Sequence, residues 1–266
     1  MGPSGEGQTQ TFISCHSAIV NKYPNVEAIV SMQQPAGLYD LGDKTGRYLR
    51  VTYRQLYDKS RLMSRYLTKI HALPPATPMF LFLSTGVELY LSTVAGHHAG
   101  FYVVPIAPST LVNSGEAIHM MHTVIEELNA ESAIVVVDDH GLARRFDAIV
   151  ASSEEINVSW MRIIVDGHPL QWRNFAELLI GNVSPSTDEP CEAGTKVIMF
   201  TSGTTTRPKA VIFKMDEMAD LSRYSVMGPL SDSGRQDDHE SAGKSQLLIH
   251  LFSNYLDARS HDGFTK

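Results

Sequence analysis

The residues best equipped for chemistry lie together between Lys196 and Ile212: an apolar run Val197-Ile198-Met199-Phe200, then Thr201-Ser202-Gly203-Thr204-Thr205-Thr206, then Arg207-Pro208-Lys209 and a second apolar run Ala210-Val211-Ile212. A loop of hydroxyl residues around one glycine suits an oxyanion. Gly203 permits close backbone approach, so successive amide N–H groups can form an anion-binding nest. Ser202, Thr204, Thr205 and Thr206 add short hydroxyl donors. Lys209 supplies a point charge that attracts phosphate, and Pro208 stiffens the loop ahead of it. A Ser/Thr-rich turn between two strands is also a common structural feature, so composition alone leaves both readings open.

Other candidates are weaker. Gly243-Lys244-Ser245 has the end of a phosphate-binding Walker loop, but the required first glycine would fall at Asp238, and no apolar strand precedes it. His97 and His98 close an expected helix, and adjacent residues point to different faces, so they read as surface or capping histidines rather than metal ligands. His119 and His122 share a helical face with no third ligand in reach, which assigns them to the edge of the core. Asp138-Asp139 read as two exposed loop acids at the exit of a strand. Cys15 and Cys191 are far apart and lack metal-ligand spacing, which argues against a disulfide framework or structural zinc. No metal ligands are assigned.

The elements that must hold the loop follow from periodicity. The first 50 residues read as irregular. Thr52 is an expected N-cap with Gln55 as its capping-box partner, and Leu56, Met63, Leu67 and Ile70 form one apolar helical face. Met79 to Leu83 is a continuous apolar run, as expected of a strand buried on both faces. A helix from Gly86 to Ala99, closed by Gly100, leads to a strand at Phe101 to Val104. Next come a helix with Ser114 as candidate cap, a strand at Ala133 to Val137, and a helix around Leu142 to Val150. A strand at Met161 to Val165 and a short helix from Asn174 to Ile180 complete the alternation. Strands alternating with helices, each strand apolar on both faces, imply an α/β fold with a parallel, doubly wound sheet and flanking helices. From about Met227 the sequence turns polar, and Gln246 to Leu256 is apolar enough for a short terminal helix. The expected division is a domain over residues 1–226 and a polar tail over 227–266.

Composition bounds the function class. The chain has 266 residues, 43% of them apolar, enough to bury a core. Its 22 Lys and Arg against 29 Asp and Glu give a net charge of −7, which argues against binding a nucleic-acid backbone. No apolar run approaches the roughly 20 residues that span a bilayer. The start lacks a secretory signal, so the Asn-x-Ser triplets at Asn157 and Asn182 read as chance matches and a cytoplasmic location is expected.

Phe200 to Lys209 resembles the signature loop of the adenylate-forming superfamily, which includes acyl-CoA synthetases and the adenylation domains of nonribosomal peptide synthetases. The family pattern is an aromatic residue followed by Thr-Ser-Gly-Thr-Thr-Gly-x-Pro-Lys-Gly. The chain matches at Phe200, Thr201, Ser202, Gly203, Thr204, Thr205, Pro208 and Lys209, and departs at Thr206 and Ala210, where the family usually has glycine. A β-branched residue at a position that needs positive φ costs strain. Upstream, Val51 to Leu56 resembles the family's Thr-Tyr-x-x-Leu helix start. Pro78 to Ser84 with Glu88, and His98 to Pro105, resemble its strand–helix–AGxxYVP segment, so the resemblance runs over roughly residues 15–215 in the expected order.

The resemblance implies an ATP-dependent acid–thiol ligase. A substrate carboxylate attacks the α-phosphate of Mg2+-ATP, giving an acyl-adenylate and pyrophosphate, and the acyl group then passes to coenzyme A or a carrier phosphopantetheine. It implies Thr201, Ser202, Gly203, Thr204, Thr205 and Thr206 as nucleotide contacts, with Lys209 as the catalytic residue neutralising the leaving pyrophosphate. The family's downstream motifs are an aromatic-Gly-x-Thr-Glu segment, a Thr-Gly-Asp, a following Arg and a C-terminal Lys. None occurs between Asp216 and Lys266. The chain therefore reads as the N-terminal part of such an enzyme, truncated and inactive alone. Its expected partners are a carboxylic-acid substrate and either a carrier domain or a complementary C-terminal polypeptide. Two further readings stay open: a non-catalytic interaction or regulatory module derived from an adenylation domain, and a fragment without a function of its own.

Overall fold

The computed structural model describes residues 12–181, 196–201 and 207–214, with side chains from residue 16 onward. The central feature is a seven-stranded sheet in the order β7-β6-β5-β3-β4-β8-β9. Its strands are β3 (Pro78–Phe82), β4 (Tyr102–Pro105), β5 (Ser132–Asp139), β6 (Ser159–Asp166), β7 (Arg173–Asn174), β8 (Lys196–Thr201) and β9 (Lys209–Lys214). Every neighbouring pair is parallel except β8 and β9, which form an antiparallel hairpin at the sheet's edge. Four helices cover it: α2 (Tyr53–Arg65), α3 (Val87–Ala99), α4 (Ser114–Glu127) and α5 (His140–Ser152).

The two-residue period of a strand divides the core. Met79, Leu81 and Leu83 of the β3 segment join Ile134 and Val136 of β5 in one apolar cluster, together with α2 and α3 residues such as Leu56, Met63, Leu91 and Ala95. Phe80 and Phe82 join Val135 and Val137 in the other, with Met120 and Val124 of α4 and Phe146 of α5. Helices on both faces explain why all five residues of β3 are buried. Each such side chain contributes roughly 1.5–3 kcal/mol by leaving water.

Local signals act as expected at several ends. Thr52 accepts from the Gln55 amide while the Gln55 side chain accepts from the Thr52 amide, which starts α2. Gly100 takes φ 72 and closes α3. Gly96 allows α3 to lie flush on the sheet, since a Cβ there would meet Val103 Cγ2 at 2.7 Å. The cap of α4 is Asn113 rather than Ser114, its side chain accepting from the Glu116 amide. The helical segment expected at Asn174 to Ile180 is a 3₁₀ turn, Phe175–Leu179.

Three expectations are corrected. Residues 12–50 are not irregular: they hold α1 (Phe12–Lys22) and β1 (Glu27–Ser31), which pairs antiparallel with β2 (Leu49–Thr52). That pairing closes a long loop and leaves no short-range signature. The face assigned through Ile70 ends early, because α2 gives way to a π turn over Tyr66–Ile70 and Ile70 is exposed. His97 and His98 are buried, not surface residues, because α2 and α1 cover α3: the His98 ring lies 5.2 Å from Tyr57 and 6.5 Å from His16.

Among the described residues no helix is long and apolar enough to cross a membrane. The expected boundary near residue 226, and the apolar segment Gln246 to Leu256, lie outside the described residues.

Candidate functional site

The hairpin places the two ends of the hydroxyl loop opposite each other. Thr201 pairs with Lys209 as the last rung of the β8–β9 ladder, and Thr201 Oγ1 reaches the Lys209 carbonyl oxygen at 3.5 Å. Phe200, just inside, is buried in the core shared with α4 and α5, while Thr201, Arg207 and Lys209 are exposed. Apolar residues thus fasten the stem and leave the polar ends in solvent. Ser202, Gly203, Thr204, Thr205 and Thr206 lie outside the described residues.

Direction matters as much as pairing. Because β8 runs parallel to β4, with Tyr102 opposite Lys196 and Val103 opposite Val197, Thr201 leaves the sheet at the carboxyl edge. The ends of β3, β4 and β5 open on that same edge. In doubly wound sheets ligands bind outside the carboxyl ends of the strands, near the point where chain connections reverse direction. Here β3 connects through α3 to β4 on one side, while β5 connects through α5 to β6 on the other.

At that reversal a polar network fills the edge, and it corrects the reading of Asp138 as an exposed loop acid: the residue is half-buried at the end of β5, whereas Asp139 is exposed as expected. Asp138 Oδ2 accepts from the Ser84 amide at 2.8 Å and from the Ser84 hydroxyl at 2.6 Å, tying β5 to the end of β3. Burial pushes the Asp138 carboxyl upward, and the two Ser84 hydrogen bonds oppose that shift. Asp139 caps α5 by accepting from the Leu142 amide at 2.9 Å. Beside them the buried Glu88 accepts from Gln34 Nε2 at 2.7 Å and from the Tyr39 hydroxyl at 2.9 Å. Gln34 Oε1 in turn accepts from the Val87 amide at the start of α3. Burial and the Glu88 carboxylate raise the Tyr39 hydroxyl well above its ordinary value, so it stays a donor.

Sequence reasoning missed Gln34 and Ser84, which come from loops, and Tyr39, which sits in the 3₁₀ turn Leu38–Asp40, none with a recognisable spacing. It also missed a role for His119. From α4, His119 Nε2 approaches the Pro208 carbonyl oxygen at 3.3 Å, whereas His122 turns to Glu126 at 3.7 Å. Among the described residues no group of three or more His, Cys, Asp and Glu is arranged to hold a metal ion. A cleft of about 660 Å3 between α1 and α2, lined by Ser17, Asn21, Arg54, Tyr57 and Arg61, includes none of the loop residues.

A family model described as AMP-binding enzyme matches residues 17–241. Comparison with curated protein sequences finds no match. Among solved structures, the luciferase-like enzyme from the nonluminescent Zophobas morio mealworm is 15% identical, with a TM-score of 0.62, over 97% of this chain and 54% of its own. McyG A-PCP complexed with phenylalanyl-adenylate is 15% identical, with a TM-score of 0.57, over 81% of this chain and 30% of its own. ATP-bound MatB from Rhodopseudomonas palustris is 19% identical, with a TM-score of 0.52, over 80% of this chain and 37% of its own. The chain spans about half or less of the length of these structures. They share its fold.

Proposed function

The chain belongs to the AMP-binding enzyme family, and from that premise we propose that its β8–β9 loop grips the phosphates of ATP during activation of a carboxylic acid. The observation that carries the reading is the Thr201–Lys209 rung at the carboxyl edge of the sheet, which closes a loop of hydroxyl residues and glycine with an exposed lysine at its exit.

The reaction is an in-line displacement. A carboxylate oxygen of the substrate bonds to the α-phosphorus, the bond from that phosphorus to the bridging oxygen of the β-phosphate breaks, and pyrophosphate leaves with the electron pair. Thr201, Ser202, Thr204, Thr205 and Thr206 offer hydroxyl donors to the β- and γ-phosphates, and Gly203 lets the backbone come close. Lys209 sets a positive charge against the charge that builds on the leaving group. Mg2+ accompanies the nucleotide. The described residues do not present a ligand set for it. A neighbour with ATP bound and another holding an aminoacyl-adenylate support the choice of nucleotide.

The acyl acceptor we assign is coenzyme A or a carrier phosphopantetheine. The adenosine and acyl contacts come from polypeptide that carries the downstream motifs residues 216–266 lack, and the setting is the cytoplasm. Residues 1–226 form the adenylating part and 227–266 a tail.

Calorimetric titration of the full chain with Mg2+-ATP tests the reading. Saturable binding is expected, with affinity reduced at least tenfold in Lys209→Ala, the loss of one charge-assisted phosphate contact. A folded, monodisperse chain that does not bind nucleotide would overturn it and favour the interaction module.

A further inference from the structure

We infer that His119 is a positioning residue for Lys209, holding it in place through the preceding peptide group. The inference rests on the nucleotide reading above and names a part of the same site that lies outside the loop's own sequence.

His119 sits on the second turn of α4, half-buried and beside the helix face that Ala117, Met120, Met121 and Val124 press into the core. That face fixes α4 against the sheet, and Ala210 of β9 packs on the same apolar cluster. From this fixed base His119 Nε2 stands 3.3 Å from the Pro208 carbonyl oxygen, a contact spanning 89 residues of sequence. A carbonyl oxygen only accepts, so the ring must donate from Nε2. Pro208 has no N–H of its own, so its carbonyl is the only backbone group it offers for fixing the chain.

One residue on, the Lys209 carbonyl oxygen receives the Thr201 hydroxyl at 3.5 Å, across the last rung of the hairpin. The backbone of Lys209 is therefore held from two directions: by α4 through Pro208 and by β8 through Thr201. The Lys209 side chain is exposed, so the held backbone fixes the base of the side chain while its course stays free. A flexible lysine whose Cα is fixed loses less freedom on meeting a phosphate, which is how a residue that never touches the ligand contributes affinity. His122, one turn further along α4, pairs with Glu126 instead.

The test compares His119→Asn with His119→Gln in the full chain. The Gln amide nitrogen extends about as far as Nε2 and keeps a donor near Pro208, whereas Asn is too short. Hydrogen exchange of the amides in 209–211 is expected to quicken about tenfold in the Asn variant, the size of one net hydrogen bond, and to stay near wild type in Gln. Mg2+-ATP affinity is expected to fall five- to tenfold in Asn and to be largely restored in Gln, while the urea midpoint falls in Asn by no more than that one hydrogen bond accounts for and stays near wild type in Gln. Unchanged exchange in Asn would overturn the anchor, whatever the nucleotide data show. Faster exchange with unaltered affinity would leave His119 a structural tie only and overturn the positioning role. A wild-type chain that does not bind Mg2+-ATP fells the nucleotide reading and the positioning role together, and the exchange data still decide whether the anchor exists.

Discussion

Helix α3 and the β8–β9 hairpin are both well supplied with polar residues, and the fold treats them in opposite ways. Apart from Tyr90, every residue of α3 is buried, including Glu88, Ser92, Thr93, His97 and His98. In the hairpin, Thr201, Arg207 and Lys209 are exposed. The difference comes from position. α3 lies between the sheet and α2, so its polar atoms must find protein partners or give up their charge. Glu88 does the first, with donors from Gln34 and Tyr39. Burial also keeps the histidines neutral: it lowers His97 and His98 to about 3 and, on neighbouring α1, His16 to about 4. At the open edge the described ends of the hairpin, Thr201 and Lys209, remain hydrated. Polar residues in this fold are therefore enclosed in α3 and exposed at the hairpin end, where we propose that nucleotide binds.

Acid should separate the two regions most sharply. The three histidines titrate near 6.5 when unfolded and well below that when folded, so the unfolded chain takes up protons first. Their contribution is complete above about pH 6.5 and is lost as pH falls toward 4 and then 3. The slope approaches ~1.4 kcal/mol per pH unit for each histidine. Against a typical stability of roughly 5–15 kcal/mol this is enough to unfold the domain in mild acid. Urea midpoints measured from pH 7.5 to 5 should fall steadily. A flat profile would mean that the α1–α2–α3 interface is wetter than its packing indicates.

Glu88→Ala comes next. It strips the acceptor from Gln34 Nε2 and from the Tyr39 hydroxyl at the start of α3, for an expected loss of roughly 2–4 kcal/mol. Denaturant titration checks it, and nucleotide affinity per folded molecule should hold. Reduced affinity without reduced stability would instead draw Glu88 into the site and erase the contrast.

How much of this the sequence discloses follows the same division. Strand β3 is legible because a short, unbroken apolar run matches a strand covered on both faces, and α2 because its capping box sits within four residues, Thr52 to Gln55. The stem of the loop is legible because both apolar runs flank one short motif. What stays hidden depends on distance along the chain. The β1–β2 pairing, the Ser84–Asp138 tie and the His119–Pro208 contact join residues separated by long stretches. The burial of His97 and His98 depends on two helices that precede them in sequence, which no local period records.

Lys209→Ala tests the other side of the contrast. An exposed side chain at the end of a hairpin should cost no more than about 0.5 kcal/mol of stability, while Mg2+-ATP affinity falls at least tenfold, about 1.4 kcal/mol. Differential scanning calorimetry beside the binding titration separates the two numbers. A large loss of stability would place Lys209 with α3, as a structural residue.

The smallest expected effect is at Thr206, where the chain departs from the glycine of the family pattern it resembles. Where the backbone needs the left-handed region, a β-branched residue costs about 1 kcal/mol or more, and glycine relieves that cost. Thr206→Gly should then tighten Mg2+-ATP by a few-fold without moving the thermal midpoint, since the core does not depend on this loop. Weaker binding would carry the opposite lesson: that the Thr206 hydroxyl is itself a phosphate donor, and that the departure from glycine trades backbone ease for an extra hydrogen bond. Both results leave α3 untouched, whereas a shift in stability comparable to that of Glu88→Ala would show that the loop and the core are not energetically separate.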